Sequence, residues 1–204
     1  MLSHAALRNS EWDEAEVHYP HAASTKMTYV FRRGPPTHQW EAWLVVGESA
    51  ILKSLGRSGM GLYAARSFSR DAIVGRYEGT VVGTYPSRQA ALDSNEARRL
   101  VRRAHDKLIT RRIQQGGVEL VDGESSGAPH ISMVNDPRGT ALTPNAEITE
   151  GGYLRIVHAR VPAFDLERTL QENARSELRI EYGSLYWKMM DALGTNVHNS
   201  IHVE

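Results

Sequence analysis

Apolar and polar positions alternate in short runs along much of this chain. "TKMTYVFRR" (25–33) is β-branched and aromatic, and "GPP" at 34–36 ends it, which predicts a strand. "WLVVGESAILKS" (43–54) predicts one or two further short strands. "LYAARSF" and "AIVGRYEGTVVGTY" alternate around a polar turn at Ser69, Arg70 and Asp71. The pattern changes over 87–115. There Leu92, Leu100, Val101, Ala104, Leu108 and Ile113 keep near a 3.6 period, which predicts one long helix stopped by Gly116 and Gly117. "VELVDG" reads as a strand, 123–147 as loop, "GGYLRIVHARV" (151–161) as a strand, 162–177 as a helical turn or two, and "ELRIEYGSLYW" (177–187) as a strand entering a turn. Residues 1–42 yield little beyond the strand at 25–33. Many short strands with one helix predict a β-rich α+β fold rather than alternating βαβ.

One glycine stretch stands out. "GRSGMGLYAARSF" (56–68) sets Gly59, Gly61 and Ala64 in G-x-G-x-x-A spacing, a form of the dinucleotide fingerprint. Glu78 lies about 20 residues past the first glycine, as that fingerprint asks. Against it, only "LYAARSFSRDA" separates the loop from the next strand, and a βαβ unit needs a crossover helix there. The plainer reading is a tight turn that exploits glycine's tolerance of positive φ.

Composition narrows the options. The 204 residues carry 24 Lys plus Arg against 24 Asp plus Glu, so any nucleic-acid contact must come from a local patch. The absence of cysteine excludes disulfides and Cys-ligated zinc. Residues 1–19 lack an apolar core of signal-peptide length, and no apolar run approaches the ~20 residues of a membrane span. The expectation is an intracellular chain without a membrane partner.

The order of five pieces carries a resemblance. "KSLGRSGMGLYAARSF" is followed by "AIVGRYEGTVV", then "VELVDGESSGAPHISMVNDPRGTALTPNAEI", then "GYLRIVHAR", then "ELRIEYGSLYW". This resembles the SET-domain protein lysine methyltransferases over about residues 43–187. In that family a G-x-G-x-x-A loop precedes a strand ending in Y-x-G-x-V, an N-H-S-C-x-P-N segment follows, and E-L-x-x-x-Y-G closes the site. The resemblance implies a SET-like fold of small β-sheets with pseudoknot-like C-terminal threading and one inserted helix. Residues 1–42 would be an N-terminal extension, 43–190 the catalytic domain with its helical insert at about 87–115, and 191–204 a tail and candidate lid. It implies methyl transfer from S-adenosyl-L-methionine to a lysine ε-amine of a protein, with a histone among the candidate substrates and the nucleus favoured over the cytoplasm. "VNDPRGTALTPN" departs from the family run: Asn135 is kept, Asp136 stands for the histidine, and residues are inserted before Asn145.

The resemblance assigns site residues in turn. Ser58, Met60, Gly61, Asn135, Asp136 and Trp187 would bind the cofactor, with Tyr186 an alternative ring for its adenine. Tyr77 and Tyr182 match tyrosines lining the lysine channel, and Tyr182 matches the catalytic one. A free lysine titrates near pH ~10.4. A narrow aromatic channel disfavours its charged form by desolvation. A phenol, with an ordinary pKa of ~10, suits positioning and electrostatic stabilisation better than strong base work. Ile180, two residues before Tyr182, would border the substrate pocket. Taken singly, a tyrosine at a strand end is a packing residue, Asn135 a turn residue, and His198 with His202 lacks a third metal ligand.

The stretch 95–113 carries Arg98, Arg99, Arg102, Arg103, Lys107, Arg111 and Arg112 against Glu96 and Asp106. It predicts a solvated helix face, or an arm for nucleic acid or an acidic partner. Rival readings of the whole are a catalytically weak SET module that binds peptide or nucleic acid, and a nucleotide-binding enzyme. A homodimer that completes the site is a further expectation.

Overall fold

The computed structural model describes residues 12–20, 26–33, 39–101, 108–123 and 130–182. In chain order the elements are β1 (Trp12–His18), β2 (Lys26–Arg33), β3 (Trp40–Glu48), α1 (Ala50–Ser54), β4 (Met60–Ala64), β5 (Phe68–Ser69), β6 (Ile73–Arg76) and β7 (Thr80–Tyr85). There follow α2 (Arg88–Leu92), α3 (Asn95–Val101), β8 (Leu108–Arg112), β9 (Val118–Asp122), β10 (Ala146–Ile148), β11 (Tyr153–Ile156) and β12 (Arg160–Val161). Short 3-10 turns lie at Ile131–Met133 and Glu172–Arg175. The described chain is β-rich, with several small antiparallel sheets and few helices. It divides into two compact units.

The first unit holds residues 1–78, 126–149 and 153–181. Its largest sheet runs β1-β2-β3-β4, antiparallel throughout. β3 crosses the boundary expected at residues 42/43, and β1 and β2 are hydrogen-bonded into the same sheet as the glycine strand β4. Trp12–His18 and Lys26–Arg33 are therefore strands of the first unit's largest sheet. β1 reads "WDEAEVH", whose acids weaken any strand signal; pairing from Trp12↔Arg32 to His18↔Lys26 supplies it. The second half of the stretch 43–54 is helix α1, not strand. Ser49 caps it by accepting a hydrogen bond from Leu52 N at 3.1 Å, a cap worth about 1 kcal/mol. Smaller sheets, β10-β11-β6 and β12-β5, complete the unit. The expected strand 151–161 is divided between β11 and β12.

A core of Tyr19, Met27, Val45, Ala50, Tyr63, Phe164, Leu170 and Ala174 packs between the four-stranded sheet and the 164–174 segment. Each such large side chain taken from water contributes about 1.5–3 kcal/mol. The Tyr63 and Phe164 rings meet edge-on, their centroids 5.1 Å apart.

The second unit contains the sheet β7-β9-β8 with α2 and α3, together with residues 150–152. Its β8–β9 hairpin corrects the long helix expected over 87–115. Two short helices, α2 and α3, come first, but Leu108–Arg112 is a strand paired with Val118–Asp122. Gly116 and Gly117, at φ 87° and 90°, form the hairpin turn rather than a helix stop. The apolar period through Leu108 and Ile113 was fortuitous. β-branched Ile109 and Thr110 suit a strand, and a partner strand lay within reach.

Candidate functional site

The glycine stretch is a loop between a helix and a strand, in the order opposite to a dinucleotide site. α1 ends at Ser54, Gly56 turns the chain at φ 68°, and Arg57 N donates to Leu52 O at 2.8 Å. Ser49 N donates to Gly59 O at 2.9 Å, and the chain enters β4. A dinucleotide loop opens a helix N-terminus toward the pyrophosphate, and none follows here. Ser58 and Met60 are exposed, whereas Gly61 is buried. A Cβ on Gly61 would lie 2.7 Å from Glu177 Oε1 and 3.0 Å from Ser49 Cα. Gly61 is therefore required by a neighbouring protein group.

That group is a fully buried carboxylate. Glu177 has no solvent exposure. Its Oε1 accepts from Ser49 Oγ at 2.6 Å and from Asn135 Nδ2 at 3.1 Å, and its Oε2 accepts from Ile51 N at 3.1 Å. Burial raises its pKa above the ordinary carboxylate value, opposed by these donors and by the charge of Arg179. Arg179, itself buried, donates to the carbonyls of Thr143, Ala174 and Glu177, and desolvation lowers its pKa. Tyr63 borders the same spot. Its hydroxyl donates to Glu48 O at 2.6 Å and accepts from Ala50 N at 2.8 Å, and burial raises its pKa strongly.

Residues 177–180 are the meeting point of distant pieces. On one side Leu178 N donates to Leu62 O at 2.7 Å, and an antiparallel bridge joins Glu177 to Tyr63. On the other, a parallel bridge joins Arg179 to Asn135, and Ile180 N donates to Asn135 O at 3.0 Å. Asn145 N and Ala146 N both donate to Arg179 O, at 3.1 and 3.0 Å. Of the segment expected as a strand at 177–187, residues 177–180 form an extended run with isolated bridges to different segments on each edge, and 183–187 lie outside the described residues.

The remaining site residues fall as follows. Asn135 aims its amide nitrogen at Glu177 and at Met60 O, 2.9 Å away. Asp136 is half-buried and its Oδ1 accepts from Arg138 N at 2.8 Å. Tyr77 and Ile180 are buried in the first unit, and Tyr182, half-buried, belongs to the second. Trp187, Tyr186, His198, His202 and the tail 191–204 lie outside the described residues. Of the basic stretch, Arg98 and Arg99 are exposed on α3. Arg111 and Arg112 lie on β8 and pair with Glu119 and Glu150, at 2.6 and 3.0 Å. Arg102, Arg103 and Lys107 lie outside the described residues. A continuous basic helix over 95–113 is excluded by β8.

Sequence reasoning did not single out Ser49, Asn145, Glu177 or Arg179 as site residues. The signals were the motif positions of Asn145 and Glu177 and a pair of charges, Glu177 and Arg179, alternating with apolar Leu178 and Ile180. Charged residues are normally exposed, so that alternation reads as a half-buried strand. Among the described residues no cluster of three or more His, Cys, Asp or Glu could hold a metal, and no helix is long and apolar enough to cross a membrane. No protein-family model matches the chain, and no curated protein matches it.

Proposed function

We propose that this chain transfers a methyl group from S-adenosyl-L-methionine to the ε-amine of a lysine in a protein, as its resemblance to SET-domain methyltransferases implies. The observation that supports the reading is the threading of Glu177–Ile180. This stretch is hydrogen-bonded to the glycine strand β4 on one edge and to Asn135 and Asn145 on the other. Parts of three of the five pieces that carry the resemblance, Leu62 and Tyr63, Asn135 and Asn145, and 177–180, therefore meet within the first unit, although more than 100 residues separate the first from the last.

The residues available to the methyl donor fit its chemistry. Ser58 and Met60 are exposed beside Gly59, so their side chains border the surface a folded, polar ligand would reach, while Gly59 O and Met60 O are held from behind by Ser49 N and Asn135 Nδ2. The half-buried Asp136 adds a carboxylate complementary to a cation. Gly61 and the Asn135 amide nitrogen act from behind, shaping the turn through Glu177 and Met60 O. When bound, S-adenosyl-L-methionine supplies an electrophilic methyl carbon on a sulfonium.

The chain's own part is to hold, align and desolvate. Tyr77, at 2 % exposure, is dry enough to favour a neutral amine over a charged one beside it. The Tyr182 hydroxyl would orient the amine and meet positive charge developing around the methyl group. Ile180 gives an aliphatic wall and no hydroxyl.

The test is titration of the purified chain with S-adenosyl-L-methionine and with NAD, followed by methyl transfer to mixed core histones. Binding of the methyl donor with transfer supports the reading. Donor binding without transfer to any protein substrate favours a binding module. NAD binding alone would sink it.

A further inference from the structure

We propose that Glu177 is a positioning residue, whose buried carboxylate holds the first turn of α1, the amide of Asn135 and the glycine strand in one arrangement, and so sets the shape of the 57–60 turn for its ligand. This rests on the methyl-transfer reading for the identity of the ligand alone.

The geometry is specific about the group required. Three groups among the described residues donate to the Glu177 side chain: Ser49 Oγ, Ile51 N and Asn135 Nδ2. Both carboxylate oxygens are engaged. A glutamine of the same shape carries a donor on one arm, which must then face either Ile51 N–H or the Asn135 amide. Ser49 is committed as well, because its oxygen already accepts from Leu52 N at 3.1 Å and lies 3.2 Å from Asn135 Nδ2. An acceptor on both arms is therefore what the surroundings ask for. Burying such a group is costly, and an apolar side chain of similar volume would often fill a core at least as stably.

The carboxylate reaches the turn by two routes. Through Asn135 it is linked to Met60 O, where the amide nitrogen sits 2.9 Å from the carbonyl and 3.1 Å from Glu177 Oε1. Through contact it abuts Gly61, which has no room for a Cβ. Met60 is exposed and Gly61 buried, so the strand turns from ligand side to core side within one residue, beside Glu177. The other groups around the carboxylate are Tyr63, whose hydroxyl is engaged with Glu48 O and Ala50 N, and Arg179, which is held by three carbonyls. Neither is free to replace it.

The experiment compares wild type with Glu177→Gln and Asn135→Ala. Three quantities are read: the melting temperature, hydrogen exchange of peptides covering 49–63, and the Kd for S-adenosyl-L-methionine with KM and kcat. We expect Glu177→Gln to fold, to exchange faster over 58–63, and to weaken donor binding by about tenfold or more, with a smaller change in kcat at saturating donor. Asn135→Ala, which leaves the carboxylate with Ser49 and Ile51, should show the same pattern more weakly. It carries the test should Glu177→Gln not fold. Folded variants with wild-type exchange over 58–63 overturn the positioning role. Faster exchange together with a wild-type protein that takes no S-adenosyl-L-methionine supports the positioning role and overturns the methyl-transfer reading instead.

Discussion

Asn145 and Arg179 hold each other by backbone and side chain together. Asn145 Oδ1 accepts from Arg179 N at 2.8 Å, and Asn145 N donates to Arg179 O at 3.1 Å. The same amide donates through Nδ2 to Glu177 O at 2.9 Å, so one side chain spans the backbone on both sides of Leu178. An asparagine suits this position because it offers a donor and an acceptor from one rigid plane. Asn145→Ala leaves the buried Arg179 N–H without this acceptor, while Glu177 O keeps Arg179 Nη1 at 3.0 Å. The expected loss is about 2–4 kcal/mol, read as a lower urea midpoint at unchanged slope. A loss below about 0.5 kcal/mol, within the range of a neutral surface change, would refute the clasp.

Gly61→Ala places a methyl group against Glu177 Oε1 and Ser49 Cα. Neither neighbour can swing away freely, because one is a triply bonded carboxylate and the other is backbone. Destabilisation of about 1–3 kcal/mol is expected from overpacking. Combining it with Glu177→Ala should cost less than the sum of the two single changes, since the second removes the obstacle. Strict additivity in a denaturation cycle would show that Gly61 is constrained by something else.

The pH dependence of stability carries the signature of Glu177. Burial raises its folded-state pKa above the ordinary 4.5. Between the two values the folded chain binds more protons than the unfolded one. This group's contribution is therefore most favourable below 4.5 and is lost as pH rises through the folded value. Relative to Glu177→Gln, the wild type should lose stability as pH rises above 4.5 and through the raised folded-state value. Parallel melting curves of the two proteins at a series of pH values above 4.5 provide the measurement, and a wild type that gains on the variant with rising pH would reverse the sign.

Tyr182→Phe removes one oxygen and keeps the ring. If that hydroxyl positions the amine, methyl transfer should fall by ~10² or more while affinity for the methyl donor holds. Near-normal turnover by the folded variant would remove Tyr182 from the chemistry.

Ile180 bears on how many methyl groups are added. It is buried, and its N–H is tied to Asn135 O at 3.0 Å. An aliphatic side chain leaves room for a methylated amine to turn and react again, so di- or trimethyl-lysine is the expected product. Ile180→Tyr should shift the product toward monomethyl-lysine, followed by mass spectrometry over time. A wild type that stops at one methyl in excess donor would place the limit elsewhere.

Local sequence was enough for several elements. Lys26–Arg33 is a strand because β-branched and aromatic residues fill it, and Ile73–Arg76 and Val118–Asp122 follow the same logic. The β-rich class followed from their number, and the glycine stretch was recognisable as a tight turn whose next segment is no crossover helix.

Tertiary structure decided the rest. Leu108 continues the helical apolar period read from Leu92 to Ile113, yet pairing with Val118–Asp122 made Leu108–Arg112 a strand. Trp12–His18 is too acidic to read as a strand, yet β2 made it one. Gly61, Asn135 and Glu177 could each be marked as motif positions, but not which way they face. A carboxylate with no exposure is the exception among charged residues, and nothing in "SELRIEYG" records that Ser49, Ile51 and Asn135 would supply its donors from 42 to 128 residues away. Sequence fixes which groups a chain owns. Only closure of the fold determines which of them are taken out of water together, because desolvation depends on neighbours that are distant along the chain.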